Sequence, residues 1–392
     1  MFAVELATLE LPDFGLPTME PVLSAQIYEK RIEALQSFHW WPWPKNDPTI
    51  AALVIYGDRE HAANLTYLTG FDPRFEEALL ILIKTRTSEP NWMWIPRTPI
   101  LVVGNEGWGY TGISPVNFEK VLYQNFSLLG QPRDNSPALD TIFRNAGIAE
   151  GTPVGVVGWK YFREEDSANY QHWLETPSYI VDTLRDITGG SQFVYNANHL
   201  LMNADFGMRA INEVDQLAVF EFAATHTSQA LRNVLFALQP GMTEYDAVRL
   251  MGLNGMPLSA HPMLSSGSRA VMGLPSPLMR IIERGDPFTM ALGLWGALNA
   301  RAGFIVRDAG ELASEIQDYV PKLVTPYFRA VVEWYTHVGI GVAGGELYDI
   351  VQEHLGDSFF GVGLNPGHLI HLDEWLNSPI YKGSTIPLKS GM

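Results

Sequence analysis

Two histidines near the end of the sequence stand close to carboxylates, as a metal site or an acid–base pair requires. His368 and His371 are three residues apart and are followed by Asp373 and Glu374. Imidazole nitrogen and carboxylate oxygen both bind zinc and similar ions, so His368, His371 and Asp373 could form a mononuclear site. In an extended segment, however, His371 would point to the opposite face from His368. The spacing leaves both interpretations open.

Other polar residues could act on a ligand or could be structural. His261 precedes a Ser-Ser-Gly turn, where a histidine is either an acid–base group or a hydrogen-bonded core residue. Ser265 and Ser266 lack the spacing of a base and an acid that a serine nucleophile needs. Arg269 and Arg301 could hold a carboxylate through a bidentate fork, or could be ordinary ion-pair partners.

The composition restricts the class of protein and of partner. With 392 residues and 46% hydrophobic content, the chain can bury a large core and has the length of two domains. A formal net charge of −17 disfavours nucleic acid and anionic membranes. The absence of cysteine excludes disulfides, thiolate nucleophiles and Cys-bearing zinc sites. We expect a soluble globular protein whose partners are small molecules or other proteins.

Targeting signals are not apparent in the sequence. No apolar run approaches the roughly 20 residues that span a bilayer. The amino terminus MFAVELATLELPDF contains acidic residues and no basic n-region, so it does not resemble a signal peptide. We therefore expect a cytoplasmic protein.

The first half of the chain has the pattern of an α/β domain. Residues 23–38 keep apolar side chains at helical spacing and predict a helix, which a proline-rich turn ends. Short apolar runs bounded by turn residues predict buried strands: IAALVIYG, EALLILIK, NWMWIP and PVGVVGW. Trp40, Trp41 and Trp43 beside the proline-rich turn are more typical of packing than of a binding face.

From about Met208 the pattern changes and predicts a second domain. A long amphipathic helix ends near Gln239-Pro240-Gly241, and Thr243 is the predicted cap of the next helix. The stretch GDPFTMALGLWGALNAR predicts a strand, a turn and a second strand. Residues 312–338 predict a long helix with a kink or break at Pro321, and AGGELYDIVQEHLG predicts another helix.

Several segments, in this order, resemble the creatinase, aminopeptidase P and Xaa-Pro dipeptidase family of pita-bread proteins. They are YLTGF at residues 67–71 followed by Glu76-Glu77, RAINEVDQLAVFEFAATHT, LQPGMTEYDAV, SSGSRAVMGLPSP, IIERGDPFTMALG, VGIGVAGGELYDIV, NPGHLIHLDEW and PLKSGM. The resemblance implies an amino-terminal creatinase-like α/β domain at residues 1–200 and a pita-bread domain at residues 201–392. It also implies a homodimer.

The resemblance predicts that the family's metal centre is missing. In the metal-dependent members, two divalent ions activate a water molecule. The first aspartate ligand follows a Gly-Asp turn by five residues, which counts from Gly285-Asp286 to Ala291, and the second falls at or beside Ala300. The metal histidine matches His368. Because alanine cannot coordinate a metal, we expect no metal cofactor.

Further catalytic groups of the family also lack counterparts. The family's two remaining glutamates follow a Gly-Met pair, and this sequence ends at Gly391-Met392, so we expect the second domain to lack its last strands. In creatinase, which needs no metal, a histidine acts as acid and base and glutamates fix the substrate. That histidine corresponds to Leu274, and one glutamate corresponds to about Ala302.

Polar residues remain around the pocket that the resemblance implies. The candidate catalytic residues are His368 and His261, and the candidate substrate-binding residues are Arg269, Arg301, Asn299 and His371. Our leading hypothesis is a metal-free protein that binds, or reacts with, an amino-acid-like or peptide-like molecule. One alternative is an active Xaa-Pro dipeptidase or aminopeptidase with manganese, cobalt or zinc. The other is a non-catalytic interaction domain.

Overall fold

A computed structural model describes residues 7, 8, 10–13, 15–37, 50–86 and 94–392. The described chain forms two compact units. One comprises Leu23–Asn203, and the other comprises Ala204–Met392 together with the described residues before Leu23. Asp13 shows why this early segment belongs to the second unit, because it forms an ion pair of 2.9 Å with Arg232. Independent domains at 1–200 and 201–392 stay a prediction.

The first unit is a mixed α/β layer, as the sequence predicts. Its helices are α1 (Ala25–Ser37), α2 (Ala63–Thr69), α3 (Asn105–Tyr110), α4 (Leu139–Ala146), α5 (Ser178–Thr188) and α6 (His199–Met202). Its strands are β1 (Ala52–Gly57), β2 (Ala78–Arg86), β3 (Trp94–Pro96), β4 (Ile100–Val103), β5 (Glu119–Leu122), β6 (Val154–Val157) and β7 (Val194–Asn196).

The sheet of this unit has the strand order β5-β4-β2-β1-β6-β7, with β3 pairing to β2. The strand β1 is antiparallel to β2 and parallel to β6. Every residue of β1 and of β6 is buried. Continuous burial explains why these strands are apolar throughout rather than alternating. The predicted tryptophan cluster, Trp40, Trp41 and Trp43, lies outside the described residues.

The second unit is built on a smaller antiparallel sheet. Its helices are α7 (Val214–Ala237), α8 (Glu244–Arg249), α9 (Thr325–His337) and α10 (Gly344–Leu355), and its strands are β8 (Leu258–Ser266), β9 (Pro287–Leu294) and β10 (Ala297–Phe304). The strand order is β10-β9-β8. The predicted strand, turn and strand are therefore confirmed as the β9–β10 hairpin. Thr243 caps α8, as predicted, by accepting a hydrogen bond from the Asp246 backbone.

One face of this sheet packs on α7. Met290 and Leu292 of β9 lie in a core cluster with Leu231 and Val234 of α7. Because side chains alternate along a strand, the residues between them face away from α7. The sheet thus has an α7 face and an opposite face.

One predicted helix begins later in the structure, and the predicted kink or break at Pro321 in another is confirmed. The helix α7 begins at Val214, so the preceding residues from Arg209 are outside it. The segment predicted as one long helix at residues 312–338 contains a 3-10 turn at Ser314–Ile316, a π-helical turn at Val320–Val324 and then α9. Pro321 lies inside the π-helical turn, and its missing N–H group explains the irregular backbone there. In the part of the chain described, no helix is long and apolar enough to cross a membrane.

Candidate functional site

Ala291 and Ala300 are direct partners across the β9–β10 pair. Both lie on the sheet face opposite α7, since Met290 and Leu292 occupy the α7 face. Ala291 is buried, with 7% of its surface exposed, and Ala300 is exposed. The two positions that the resemblance aligns with aspartate ligands are therefore adjacent on one surface.

Two residues of β8 extend this surface. Met263 pairs with Ala291, and Ser265 pairs with Thr289. Cross-strand partners share a face, so we define the alanine face as Met263, Ser265, Thr289, Ala291 and Ala300. Its side chains contain two hydroxyl groups, one thioether and methyl groups. They supply no carboxylate or imidazole.

The β9–β10 turn connects this sheet to the segment that carries the late histidines. Gly296 has a φ of 93° and donates its N–H to the carbonyl of His371 at 2.7 Å. A Cβ atom at Gly296 would collide with the ring of Phe220, so the positive φ and the close packing both require glycine. The backbone at His371 is consequently held against the end of the hairpin.

The side chain of His371 belongs to a buried cluster with Arg209. Its Nδ1 atom accepts a hydrogen bond from the Leu372 N–H at 2.8 Å and from the Arg209 Nε–H at 3.4 Å. The Arg209 guanidinium also donates to the Asp373 carboxylate at 2.6 Å. Because both donors point at Nδ1, the neutral ring carries its proton on Nε2. Asp373 is thus the partner of an arginine.

His368 lies in a different environment from His371. Its ring stacks on Trp375 with centroids 4.1 Å apart, and its side chain is 16% exposed. The Nε2 atom is 4.0 Å from the Glu374 carboxylate. Its Nδ1 atom lies 3.3 Å from the Leu369 carbonyl, to which it can donate. His368 therefore lies beside a carboxylate and an aromatic ring, apart from the cluster of His371.

Arg269 is bound by a buried glutamate. Its guanidinium donates to the Glu244 carboxylate at 2.6 Å, and the Glu244 side chain has no exposed surface. The same carboxylate accepts hydrogen bonds from the Ser266 hydroxyl at 2.9 Å and the Leu278 N–H at 2.8 Å. Arg269 is therefore an ion-pair partner, which is one of the two interpretations that the sequence allows.

Asn299 and Arg301 lie on the α7 face. Both alternate with Ala300 along β10, and Asn299 donates to the Ser228 hydroxyl of α7 at 3.0 Å. Arg301 donates to the Asn299 side chain at 3.2 Å and to the Ala300 carbonyl at 2.6 Å. The structure therefore separates these two residues from the alanine face. Their role in ligand binding stays a prediction.

His261 is exposed on β8. Its Nε2 atom lies 3.1 Å from the Leu274 carbonyl, so the backbone at Leu274 holds the ring. The Leu274 side chain itself is 70% exposed. The predicted site residues thus fall into separate groups: His371 with Arg209, His368 with Glu374, Arg269 with Glu244, Asn299 with Arg301, and His261 alone.

Solved structures with a similar fold include prolidases and an aminopeptidase. Prolidase from Pyrococcus horikoshii matches with a TM-score of 0.62 and 17% identity over 94% of this chain and 88% of that chain. Recombinant prolidase from Thermococcus sibiricus matches with a TM-score of 0.67 and 15% identity, over 93% and 88%. Aminopeptidase P from E. coli matches with a TM-score of 0.57 and 15% identity, over 95% and 86%.

The chain has the pita-bread fold. No protein-family model and no curated protein matches the sequence. The fold class predicted from the segment order is confirmed.

The side chains at the positions expected to bind metal differ from the ligands of the dinuclear centre that the resemblance implies. Ala291 and Ala300 have no donor atom, and Asp373 is bound to Arg209. Throughout the described ranges, no three histidine, aspartate or glutamate side chains are close enough together to hold a metal ion. The described residues do not fit a dinuclear centre.

Sequence reasoning missed Arg209 as a member of the site region. It lies at the start of the segment predicted as the long helix, where an arginine normally faces solvent. Its side chain is nevertheless fully buried, and its contact with Asp373 spans 164 positions of the sequence. The only sequence signal is a lone arginine just before an apolar helix, which is too common to identify such a contact.

Proposed function

We propose that this protein is a pita-bread protein without the dinuclear metal centre, which binds an amino-acid-like or peptide-like small molecule or acts on one by a different reaction. The observation that carries the proposal is the register of Ala291 with Ala300. It puts two methyl groups side by side at the two positions that the resemblance aligns with aspartate ligands. The alanine face supports ligand binding in their place.

The chemistry of the alanine face suits a ligand with an apolar side chain. Ala300 is exposed and offers a methyl group, and the partly buried Thr289 offers a hydroxyl group for a ligand's amide, while Met263, Ser265 and Ala291 are buried. No metal or organic cofactor is needed for such binding. A homodimer remains part of the proposal, as does the absence of nucleic acid and membrane from the set of partners.

A non-catalytic interaction domain is the second candidate. An exposed apolar segment favours it, because Val271, Leu274 and Met279 are 84%, 70% and 69% exposed. Contiguous exposed apolar surface marks contact sites for other proteins. The third candidate is an active metal-dependent Xaa-Pro peptidase, which the similarity of the fold to a prolidase and an Xaa-Pro dipeptidase favours.

Metal content and peptide binding together test the proposal. The full-length gene product is incubated with manganese or cobalt, passed through gel filtration and analysed for metal. The same preparation is assayed for hydrolysis of Xaa-Pro dipeptides, and the metal-free protein is tested for binding of these dipeptides by calorimetry. The variant Ala300→Leu blocks the alanine face at an exposed position, and Ala149→Leu, an exposed alanine of the first unit, is its matched control.

The outcomes separate the three candidates. We expect essentially no retained metal, no hydrolysis, and dipeptide binding that Ala300→Leu weakens and Ala149→Leu does not. Close to two ions per chain with hydrolysis would establish the peptidase and overturn the proposal. A metal-free protein that binds none of these ligands, but associates with another protein through the segment at Val271–Met279, would establish the interaction domain.

A further inference from the structure

A cavity lies on the α7 face of the same sheet. It has a volume of about 170 Å³ and is bounded by α7, by β9 and by residues 251–256. Leu292 of β9 lines this cavity, whereas its neighbour Ala291 belongs to the alanine face. The sheet itself therefore separates the cavity from the candidate site.

The inner wall of this cavity is apolar. Ala230 of α7, Met251, and Leu292 and Leu294 of β9 all line it and are buried. An apolar protein cavity of about 150 Å³ is large enough to bind benzene. The cavity on the α7 face thus has room for a ligand of about one ring.

One edge of the cavity is polar and uncharged. Gln229 and Asn233 are one helical turn apart on α7, and the Gln229 Nε2 atom donates to the Asn233 Oδ1 atom at 2.9 Å. This bond leaves the Gln229 Oε1 atom as an acceptor and the Asn233 Nδ2 atom as a donor for a ligand. The lining residues include no Asp, Glu, Lys or Arg.

His226 adds a further acceptor to the same edge. Its Nδ1 atom lies 2.9 Å from the Phe222 carbonyl, which can only accept, so Nδ1 carries the proton of the neutral ring. The Nε2 atom is then an acceptor. Three polar residues at successive turns of α7, His226, Gln229 and Asn233, therefore line one side of an apolar cavity.

We propose that this cavity is a second binding site, for a small uncharged molecule that has one ring and a carboxamide-like edge. The ligand's N–H donates to the Gln229 Oε1 atom, its carbonyl accepts from the Asn233 Nδ2 atom, and its ring contacts Leu292 and Leu294. A charged head group is disfavoured, because the lining includes no Asp, Glu, Lys or Arg to offset its desolvation. Binding here involves no covalent step and is independent of the alanine face.

Benzamide and benzoate are the matched probes for this site. They share a ring and nearly the same size, but only benzamide is neutral and presents both a donor and an acceptor. Binding to the full chain is measured by calorimetry and by ligand-observed NMR. The variants are Gln229→Met and Asn233→Leu, with Gln239→Met at an exposed position beyond α7 as the control. Circular dichroism checks that each variant is folded.

We expect saturable benzamide binding, weaker binding of benzoate, and a loss of benzamide affinity of about three- to tenfold in Gln229→Met and in Asn233→Leu. Gln239→Met should bind as the unmodified chain does. No saturable benzamide binding up to about 10 mM, which corresponds to about 0.3 kcal/mol of binding free energy per non-hydrogen atom, overturns the proposal. Equal affinity for both probes, or unchanged benzamide affinity in both folded variants, also overturns it.

Discussion

Ala291 and Ala300 are cross-strand partners, yet one is buried and the other is exposed. The alanine face is thus closed at β9 and open at β10. The same substitution at the two positions therefore compares a buried and an exposed location on one face of the sheet.

The variant Ala291→Asp should be much less stable than Ala300→Asp. A carboxylate at Ala291 loses its hydration without gaining a described partner, so we expect the free energy of unfolding to fall by about 2–4 kcal/mol. At Ala300 the change should be within about 0.5 kcal/mol, as at other surface positions. Urea unfolding at neutral pH measures both. Equal stability of the two variants would show that water reaches Ala291.

Manganese extends the same experiment. A single introduced carboxylate does not bind manganese unless other ligands lie nearby. Neither variant should therefore gain stability when manganese is added. A large metal-dependent increase in the stability of Ala291→Asp would contradict our account, because the remaining ligands would then have to be present nearby.

The variant Arg269→Met should lose stability, because it leaves the buried Glu244 carboxylate without its cation. Removal of one partner of a buried pair costs about 3–5 kcal/mol, and the 23% exposure of the Arg269 side chain places our expectation at the lower end, about 3 kcal/mol. Arg301→Met, at an exposed arginine, is the control for stability only and should change the free energy of unfolding little. Urea unfolding and ligand binding are measured together. Unchanged stability with lost ligand affinity would instead make Arg269 a ligand-binding residue.

Glu77 should make the first unit less stable as the pH rises. Burial raises the pKa of the Glu77 carboxyl, although hydrogen bonds from Tyr179 and from the Tyr56 hydroxyl at 2.9 Å oppose the shift. The folded state therefore holds this proton more tightly than the unfolded state, and stability is lost from the ordinary pKa of about 4.3 upward through the raised value.

The variant Glu77→Gln isolates this effect, since glutamine does not titrate. Unfolding measured between pH 4 and pH 7 should show a smaller loss of stability in Glu77→Gln than in the unmodified chain. Glu119→Gln, at an exposed position of β5, should keep the original pH dependence. Identical profiles for all three proteins would contradict the role assigned to Glu77.

Lys84 should make the first unit more stable, not less, as the pH rises above about 8. Burial lowers the pKa of the Lys84 ammonium to about 8, from an ordinary value of about 10.4. The unfolded state binds the proton more tightly, so stability rises as the pH increases from 8 toward 10.4. Lys84→Met should be more stable than the unmodified chain at pH 7, and this advantage should shrink by pH 9.5.

Lys120→Met is the control for Lys84, because Lys120 is exposed on β5. Urea unfolding at pH 7 and pH 9.5 measures all three proteins. If Lys84→Met is less stable than the unmodified chain at pH 7, the buried ammonium contributes more through its contacts than it loses by desolvation.

Local sequence patterns predicted most of the elements. Apolar runs predicted β1, β2 and β6, the turn before Ala297 predicted the β9–β10 hairpin, and Thr243 predicted the start of α8. These features depend on residues that are close along the chain. The irregular backbone at Pro321 was predicted as a kink or break, but its π-helical form and the beginning of α7 were not, since the backbone at helix ends depends on packing.

The sequence by itself determined the fold class and the absence of donor atoms from the side chains of Ala291 and Ala300, because residue type and order along the chain suffice for both. Only the tertiary structure decided how the candidate residues group. It buried Arg209 between His371 and Asp373, bound Arg269 to Glu244, and turned Asn299 and Arg301 toward α7. Hydrogen bonds and ion pairs between distant residues depend on which strand face and which helix pack together. The spacing of residues along the sequence does not predict these contacts.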